Sequence, residues 1–150
     1  MTTTEGTMPD AADQAEVIAQ EMLRRLEQLG TGNLRGEISL AQYRMLAVVQ
    51  KLGPVSIGRI GNIVGAAQST TSEMMTRLLK AGLVTKVRST QDNRVVTVEV
   101  TDQGRQVFKR SRKRIREAYQ GLHDKLSPSE RDLLLGALQQ LDVLLRKAGA

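Results

Sequence analysis

Short hydrogen-bonding side chains are concentrated at the start of one segment of the chain, at Gln68, Ser69, Thr70 and Ser72. Hydroxyl and amide groups of this kind can hydrogen-bond to phosphates and to the edges of bases. Thr76 continues the same face at helical spacing. The alternative interpretation is ordinary helix capping and a solvated surface, because small hydroxyls begin many helices.

Two glycines four residues apart, Gly61 and Gly65, indicate how such a segment is positioned. The apolar positions around them fit two short helices that cross steeply through a tight turn, namely Ile57, Ile60, Val64, Ala66, Thr71, Met74 and Met75. Gly65 supplies the positive φ that the turn needs, and Gly61 lets the second helix pack closely. The pattern predicts a helix-turn-helix, whose second helix lies in the major groove of DNA.

Two strands are predicted directly after this helix pair. Leu83, Thr85 and Val87 are expected on one face, and the opposite face includes Lys86 and Arg88. In the second strand the alternating sets are Val96, Val98 and Val100 against Val95, Thr97 and Glu99. The polar loop between the strands contains Asp92 and Arg94. A helix-turn-helix followed by a hairpin with a charged tip is a winged helix, so Arg88 and Arg94 are candidates for contacts with DNA.

The remaining segments are helical, which makes the predicted fold mainly α with one small β-hairpin. A first helix is expected from about Ala12 to Leu29, with Gly30 and Gly32 ending it. A second helix stops at Gly53-Pro54. Further helix starts are expected at Ser56, at Thr101 and at the capping box Ser127-Pro-Ser-Glu130. We expect a mobile tail over 1–10, a winged helix over 37–102, and a helical dimerisation module from 11–36 and 103–150.

The last helix carries more apolar surface than one intramolecular groove can cover. Leu133, Leu134 and Leu135 are consecutive, so they cannot all face the same way. Surplus apolar surface on terminal helices is usually buried against a second copy, and a two-fold dimer would place two recognition helices one DNA turn apart. The alternative is a monomer with a compact helical cap.

Composition narrows the functional class. The chain has 150 residues, a formal net charge of +6 and no cysteine. The positive charge favours an anionic partner, and the absence of cysteine excludes disulfides and thiolate metal sites. His123 is the only histidine, so no metal or other cofactor is expected. We see no catalytic motif, no membrane span and no secretory signal; we therefore expect a cytoplasmic protein that is not an enzyme.

Several basic residues allow two interpretations. Arg77 and Lys80 are equally well explained as phosphate contacts or as surface charges. The run 109–116 resembles a nucleic-acid patch, but the apolar stripe through Phe108 and Ile115 places most of its charges on the solvent side of a helix. Its general attraction for polyanions holds under either interpretation.

The chain resembles the MarR family of transcriptional regulators. The segments that carry the resemblance are Gly53-Pro-Val-Ser-Ile57, Ile60-Gly-Asn-Ile-Val-Gly65, Leu78 with Gly82-Leu-Val84, Asp92-Asn-Arg94 and Val100 with Thr101-Asp-Gln-Gly-Arg105. They follow the order and spacing of the family's winged-helix core. The flanking helices resemble its dimerisation module.

The resemblance implies a homodimeric repressor that binds palindromic double-stranded DNA and responds to a small organic, often aromatic, effector. By motif match, Gln68, Ser69, Thr70 and Ser72 fall where the family's recognition helix meets bases and phosphates, Arg94 falls at the wing arginine, and Asp92 orients it. The chain departs from the family pattern at Glu73, where a basic residue is common, and in its few aromatic residues. Glu73 keeps open an alternative, a winged helix that serves only as a protein-interaction module.

Overall fold

The computed structural model describes residues 10–31, 37–88 and 96–149. In chain order its elements are α1 (Ala11–Thr31), α2 (Leu40–Leu52), α3 (Ile57–Val64), α4 (Gln68–Lys80), β1 (Val84–Arg88), β2 (Val96–Val100), α5 (Asp102–Asp124) and α6 (Pro128–Ala148). The predicted fold class, mainly α with one small hairpin, is confirmed.

Side-chain caps begin α2, α3, α5 and α6, and those of α3, α5 and α6 lie at the residues predicted from the sequence. Ser39 and Ser127 each form a capping box, and the hydroxyl of Ser56 accepts from the first turn of α3. The Thr101 hydroxyl accepts a hydrogen bond of 3.0 Å from the Gly104 N–H at the start of α5. These bonds satisfy backbone donors that have no partner within the helix.

The first helix differs from its predicted bounds. Asp10 caps it, because its carboxylate accepts a 2.8 Å hydrogen bond from the Asp13 N–H. The sequence predicts an end at Gly30 and Gly32; α1 continues through Gly30 and its last residue is Thr31, directly before Gly32. A glycine costs a helix only about 1 kcal/mol relative to alanine, so a single one does not have to end it. The remainder of the predicted tail, residues 1–9, lies outside the described residues.

One hydrophobic core joins α2, α3, α4, the hairpin and the first turns of α5. Its fully buried members include Leu46, Ile60, Met75, Leu78 and Val98. Val55 extends the sheet by an isolated antiparallel bridge to Val98. This core fixes the positions of the two helices that were predicted to form the helix-turn-helix.

The hairpin is antiparallel, with Val84 opposite Val100 and Lys86 opposite Val98. The prediction that Leu83 shares one strand face with Thr85 and Val87 is wrong for Leu83, because β1 begins only at Val84. Leu83 belongs to the turn after α4, where its N–H donates to the Leu78 carbonyl. Leu83 and Val84 are both buried, whereas Thr85 is exposed.

The first turn of α5 packs tightly against Leu83, the residue before β1. Among the described glycines, Gly104 in this turn has the shortest distance from its ideal Cβ position to another backbone atom. A Cβ on Gly104 would overlap the carbonyl oxygen of Leu83. The same carbonyl accepts a 3.1 Å hydrogen bond from the Thr101 N–H, and the Thr101 hydroxyl donates to Gly82 O at 2.6 Å. The sequence motif Thr-x-x-Gly is therefore a docking point between helix and hairpin.

A second compact unit begins at Arg116 and comprises the end of α5 and all of α6. The Arg131 Nε donates to the carbonyls of His123 and Leu126, at 3.0 Å and 2.9 Å, which caps the end of α5. None of the residues of α6 is buried in the single chain. Its apolar surface is therefore available to another molecule.

Candidate nucleic-acid interface

The crossing of α3 and α4 depends on the two glycines singled out in the sequence. Gly65 adopts φ 67°, in the left-handed region, and its N–H bonds to the Gly61 carbonyl. A Cβ on Gly61 would lie 2.8 Å from the Thr71 hydroxyl oxygen and 3.3 Å from the Ala66 carbonyl oxygen. Both predictions, a left-handed turn at Gly65 and close packing at Gly61, are confirmed.

The α4 helix is anchored on one side and open on the other. Thr71, Met75 and Leu78 are fully buried. The exposed residues of the helix form what we call the outward face: Gln68, Ser69, Thr70, Glu73, Thr76, Arg77 and Lys80. Ser72, also predicted to contact DNA, is half-buried at the edge of this face. The structure thus places every predicted contact residue of α4 on the outward face or at its edge.

Hydrogen bonds within α4 determine which groups of its threonine side chains remain for contacts with another molecule. The Thr76 hydroxyl donates to the Ser72 carbonyl at 2.8 Å, and the Thr71 hydroxyl donates to the Ala67 carbonyl at 3.0 Å. The hydroxyl proton of Thr76 is therefore already used, which leaves its oxygen as an acceptor and its methyl group for apolar contact. A thymine methyl is the apolar feature of the major groove that such a group could meet.

The outward face carries one ion pair. Glu73 Oε1 lies 2.6 Å from Arg77 Nη2, four residues further along the helix. Both side chains are about two-thirds exposed, at 64% and 65%, so the pair adds little to stability. The pair mainly affects the charge of the face, because Arg77 neutralises Glu73, the only acidic residue of the outward face.

Arg88 is the last residue of β1, pairs with Val96 across the hairpin and is exposed. The other two predicted wing residues, Asp92 and Arg94, lie outside the described residues. On the described part of the hairpin, the Thr97 hydroxyl donates to the Val87 carbonyl at 3.1 Å. This bond joins the two strands near the end of the described part of the hairpin.

Arg59 is a candidate contact that our sequence reasoning missed. It is exposed on α3 beside the fully buried Ile60. In helix-turn-helix proteins the first helix of the pair crosses the DNA backbone, where an arginine can bind phosphate. Arg59 is the one charged residue in the segment Ile57–Val64, which was visible in the sequence and could have identified it.

The basic run at 109–116 has a partly structural role. Arg110 forms a 3.1 Å ion pair with Glu37, and Arg114 approaches the same carboxylate at 3.9 Å. Ser111, within the run, is fully buried, and its hydroxyl has no hydrogen-bond partner among the described residues. Lys109, Arg112 and Arg116 are exposed, as the solvent-side interpretation of the run predicts.

Two of the three aromatic residues of the chain are in contact. The rings of Tyr43 and Phe108 stack with their centroids 5.2 Å apart, and both residues are half-buried. Burial raises the pKa of the Tyr43 hydroxyl, and the nearby Arg112 charge opposes this. Tyr119 lies in the second unit and is 43% exposed.

The residues of the described ranges contain no cluster of histidine and carboxylate groups that could hold a metal ion. His123 has Asp124 as its neighbouring carboxylate, 3.8 Å away. None of the helices in the described ranges is both long and apolar enough to span a bilayer.

The helices α3 and α4 form a crossed pair in which α4 is anchored in the core and turns a polar face outward, and a hairpin follows them. This arrangement defines a winged helix-turn-helix protein. Residues 38–96 match the family model described as the MarR family. This part of the chain is therefore a MarR-family domain, a domain of transcriptional regulators and not of enzymes.

Relatives and solved structures agree with this assignment. The uncharacterised HTH-type transcriptional regulator YfiV of Bacillus subtilis is 26% identical over 75% of this chain and 70% of its own length. The HTH-type transcriptional repressor IacR of Pseudomonas putida is 30% identical over 56% of this chain and 50% of its own.

Among solved structures, the Streptomyces coelicolor regulator PcaV in complex with its natural ligand has a TM-score of 0.73 and 25% identity, and the match covers 91% of this chain and 96% of PcaV. Streptococcus pneumoniae FabT in complex with DNA has a TM-score of 0.75 and 20% identity, with 91% and 99% coverage. The second likeness concerns the fold alone.

Proposed function

We propose that this protein is a homodimeric, sequence-specific transcriptional repressor that binds a pseudo-palindromic DNA operator and is released from it by a small organic effector. The observation that carries the proposal is the outward face of α4. The polar groups of this face are exposed, while the opposite side of α4 is anchored in the core by Thr71, Met75 and Leu78. A helix held in this way can enter a major groove as a rigid body.

The residues that we propose to contact DNA lie along α4 or are those predicted for the wing. Gln68, Ser69, Thr70 and Ser72 lie in the first turns of α4, the part of a recognition helix that meets base edges. Thr76 and Arg77 continue the contact surface, and Arg88, Asp92 and Arg94 would form the wing. The FabT complex with DNA supports this arrangement by its similar fold.

The homodimer is proposed because of the apolar residues on the terminal helices. On α1, Val17 and Ile18 are each 68% exposed, and on α6 Leu133 is 72% exposed. Large apolar side chains that are exposed to this extent and grouped together usually belong to an interface. We therefore propose that 11–36 and 103–150 form the dimerisation module, with 37–102 as the DNA-binding domain and 1–10 as a tail.

Repression and release by an effector are supported by relatives. IacR is named a repressor, as is MdtR of Bacillus subtilis, and PcaV was crystallised in complex with its natural ligand. The half-buried stack of Tyr43 on Phe108 would offer an apolar, aromatic surface to such a molecule. Because the proposed target is chromosomal DNA, we place the protein in the cytoplasm.

The Glu73–Arg77 pair favours a second candidate function, a protein-interaction module without sequence-specific DNA recognition. A carboxylate on the outward face repels phosphates, and the pair lowers the net positive charge that this face would present to DNA. The two functions differ in how their binding depends on sequence and on salt.

The test is to sequence the genomic duplexes that the purified protein retains and to measure its affinity for the enriched sequence and for a scrambled one at several salt concentrations. We expect a clear preference for the enriched duplex and a steep fall of affinity with salt. Equal affinity for both duplexes at every salt concentration would favour the interaction module.

Arg94→Ala should weaken binding to the enriched duplex by about 1–3 kcal/mol, because it removes the proposed wing contact. The matched control is Arg116→Ala, which removes the same charge from an exposed position on α5. If both variants lose affinity equally, the loss is due to net charge and the wing assignment is wrong.

A further inference from the structure

Glu73 lies at the centre of the outward face of α4. It is two residues from Thr71 and two from Met75, both of which are fully buried. Two residues correspond to about 200° around a helix, so Glu73 points almost directly away from the core. A helix that enters the major groove with this face must bring the Glu73 carboxylate to the base edges.

One of the two oxygens of the Glu73 carboxylate can still accept a hydrogen bond. Its Oε1 binds Arg77 Nη2 at 2.6 Å, whereas Oε2 has no protein partner among the described residues. Arginine carries five N–H donors, of which this bond uses one. The pair therefore presents an acceptor beside several donors, with its net charge cancelled.

This arrangement is complementary to one kind of base pair. In the major groove cytosine offers the N4 amino donor, and its guanine partner offers the acceptors O6 and N7. Adenine also offers an amino donor, but its own N7 acceptor lies beside it and would repel a carboxylate. Cytosine carries no acceptor on this edge, which makes it the base that a glutamate fits best.

We propose that Glu73 is a specificity-determining residue that accepts a hydrogen bond from the N4 amino group of a cytosine in each half-site. Arg77 acts as the positioning residue: it holds the carboxylate in place and offsets its repulsion from the phosphates. This inference rests on the proposed DNA-binding function and adds the base that the centre of the face recognises.

The experiment compares wild type with Glu73→Gln by selection from random duplexes, followed by affinity measurements on single-base variants of the selected operators. We expect wild type to select one C·G pair in each half-site and to lose about 5- to 150-fold in affinity when that pair becomes A·T. Glutamine pairs with adenine N6 and N7, so Glu73→Gln should shift the preference at this position from cytosine to adenine.

Glu16→Gln on α1 is the matched control, because Glu16 is exposed and its removal changes the net charge equally. It should leave base preference unchanged. Since Glu73 is exposed, the variant is expected to fold, which its circular dichroism spectrum would show.

If wild type selects no sequence at all, the proposed function fails and this inference fails with it. If wild type selects an operator and Glu73→Gln selects the same bases with the same discrimination, only the inference is overturned. A uniform gain of affinity for every duplex, without a change of base preference, would also overturn it, since Glu73 would then act by repulsion alone.

Discussion

Single residues set the close contacts in this domain. The missing Cβ of Gly61 lets the α3 backbone approach Thr71, whose hydroxyl is itself held by the Ala67 carbonyl. Gly58, on the same short helix, has space around it, with the Gln68 Oε1 as its nearest neighbour at 3.8 Å. Two glycines of α3 that look equivalent in the sequence therefore have different roles.

Gly61→Ala should destabilise the fold by about 1–3 kcal/mol, because the added methyl group meets a buried and hydrogen-bonded side chain. Gly58→Ala is the matched control and should stabilise the fold by about 0.5–1 kcal/mol, since alanine favours the helix and the site has room. Denaturant titration of both variants measures the two changes. A destabilisation of similar size in both would mean that helix flexibility, and not the contact with Thr71, governs the site.

Helices in this chain are delimited largely by their own capping residues. The turn between α5 and α6 shows this most fully: Arg131 caps the end of one helix, and Ser127 with Glu130 caps the start of the next. Hydrogen bonds from the Ser127 backbone N–H and hydroxyl lower the pKa of Glu130. Because the folded protein holds this proton more weakly than the unfolded chain, the ionised carboxylate stabilises the turn.

The contribution of Glu130 should be fully present above the pKa that it has in the unfolded chain, and it should be lost as pH falls through the lower pKa of the folded state. Glu130→Gln cannot titrate, so its stability should decrease less than that of wild type as pH falls below 4.5, the ordinary pKa of a glutamate. Ser127→Ala removes one donor and should flatten the profile in the same direction. Parallel profiles of wild type and Glu130→Gln, from denaturation midpoints, would contradict this assignment.

At the scale of the whole molecule, charge and apolar surface have separate locations. The polar outward face belongs to the winged helix, whereas the large exposed apolar side chains are concentrated on α1 and α6. A protein that recognises a palindrome needs both, one surface for each half-site and one to hold two copies together.

Leu133→Glu should convert the protein to a monomer at micromolar concentration, because it places a charge where we propose an apolar interface; we expect the dimer dissociation constant to rise by at least about 100-fold. Gln50→Glu adds the same charge at an exposed position on α2 and should leave the dimer intact. Sedimentation equilibrium measures both. A wild-type protein that sediments as a monomer would remove the dimer and its half-site geometry from the proposal.

The sequence by itself determined the local features of this protein. Caps at Ser56 and Thr101 and the left-handed turn at Gly65 depend on neighbouring residues, so spacing and residue type were sufficient to predict them. The polar residues of the outward face followed from the same periodicity. Their contact with DNA stays a prediction, as does that of Asp92 and Arg94.

Tertiary structure decided what depends on residues far apart in the chain. Only the fold shows that Gly104 must lack a side chain because the Leu83 carbonyl lies against it, and that Ser111 is buried within a basic run. It also pairs Glu37 with Arg110, 73 residues away, and leaves Thr85 exposed. The reason is physical: caps and turns form between neighbours, whereas burial and long-range pairing depend on which elements pack together.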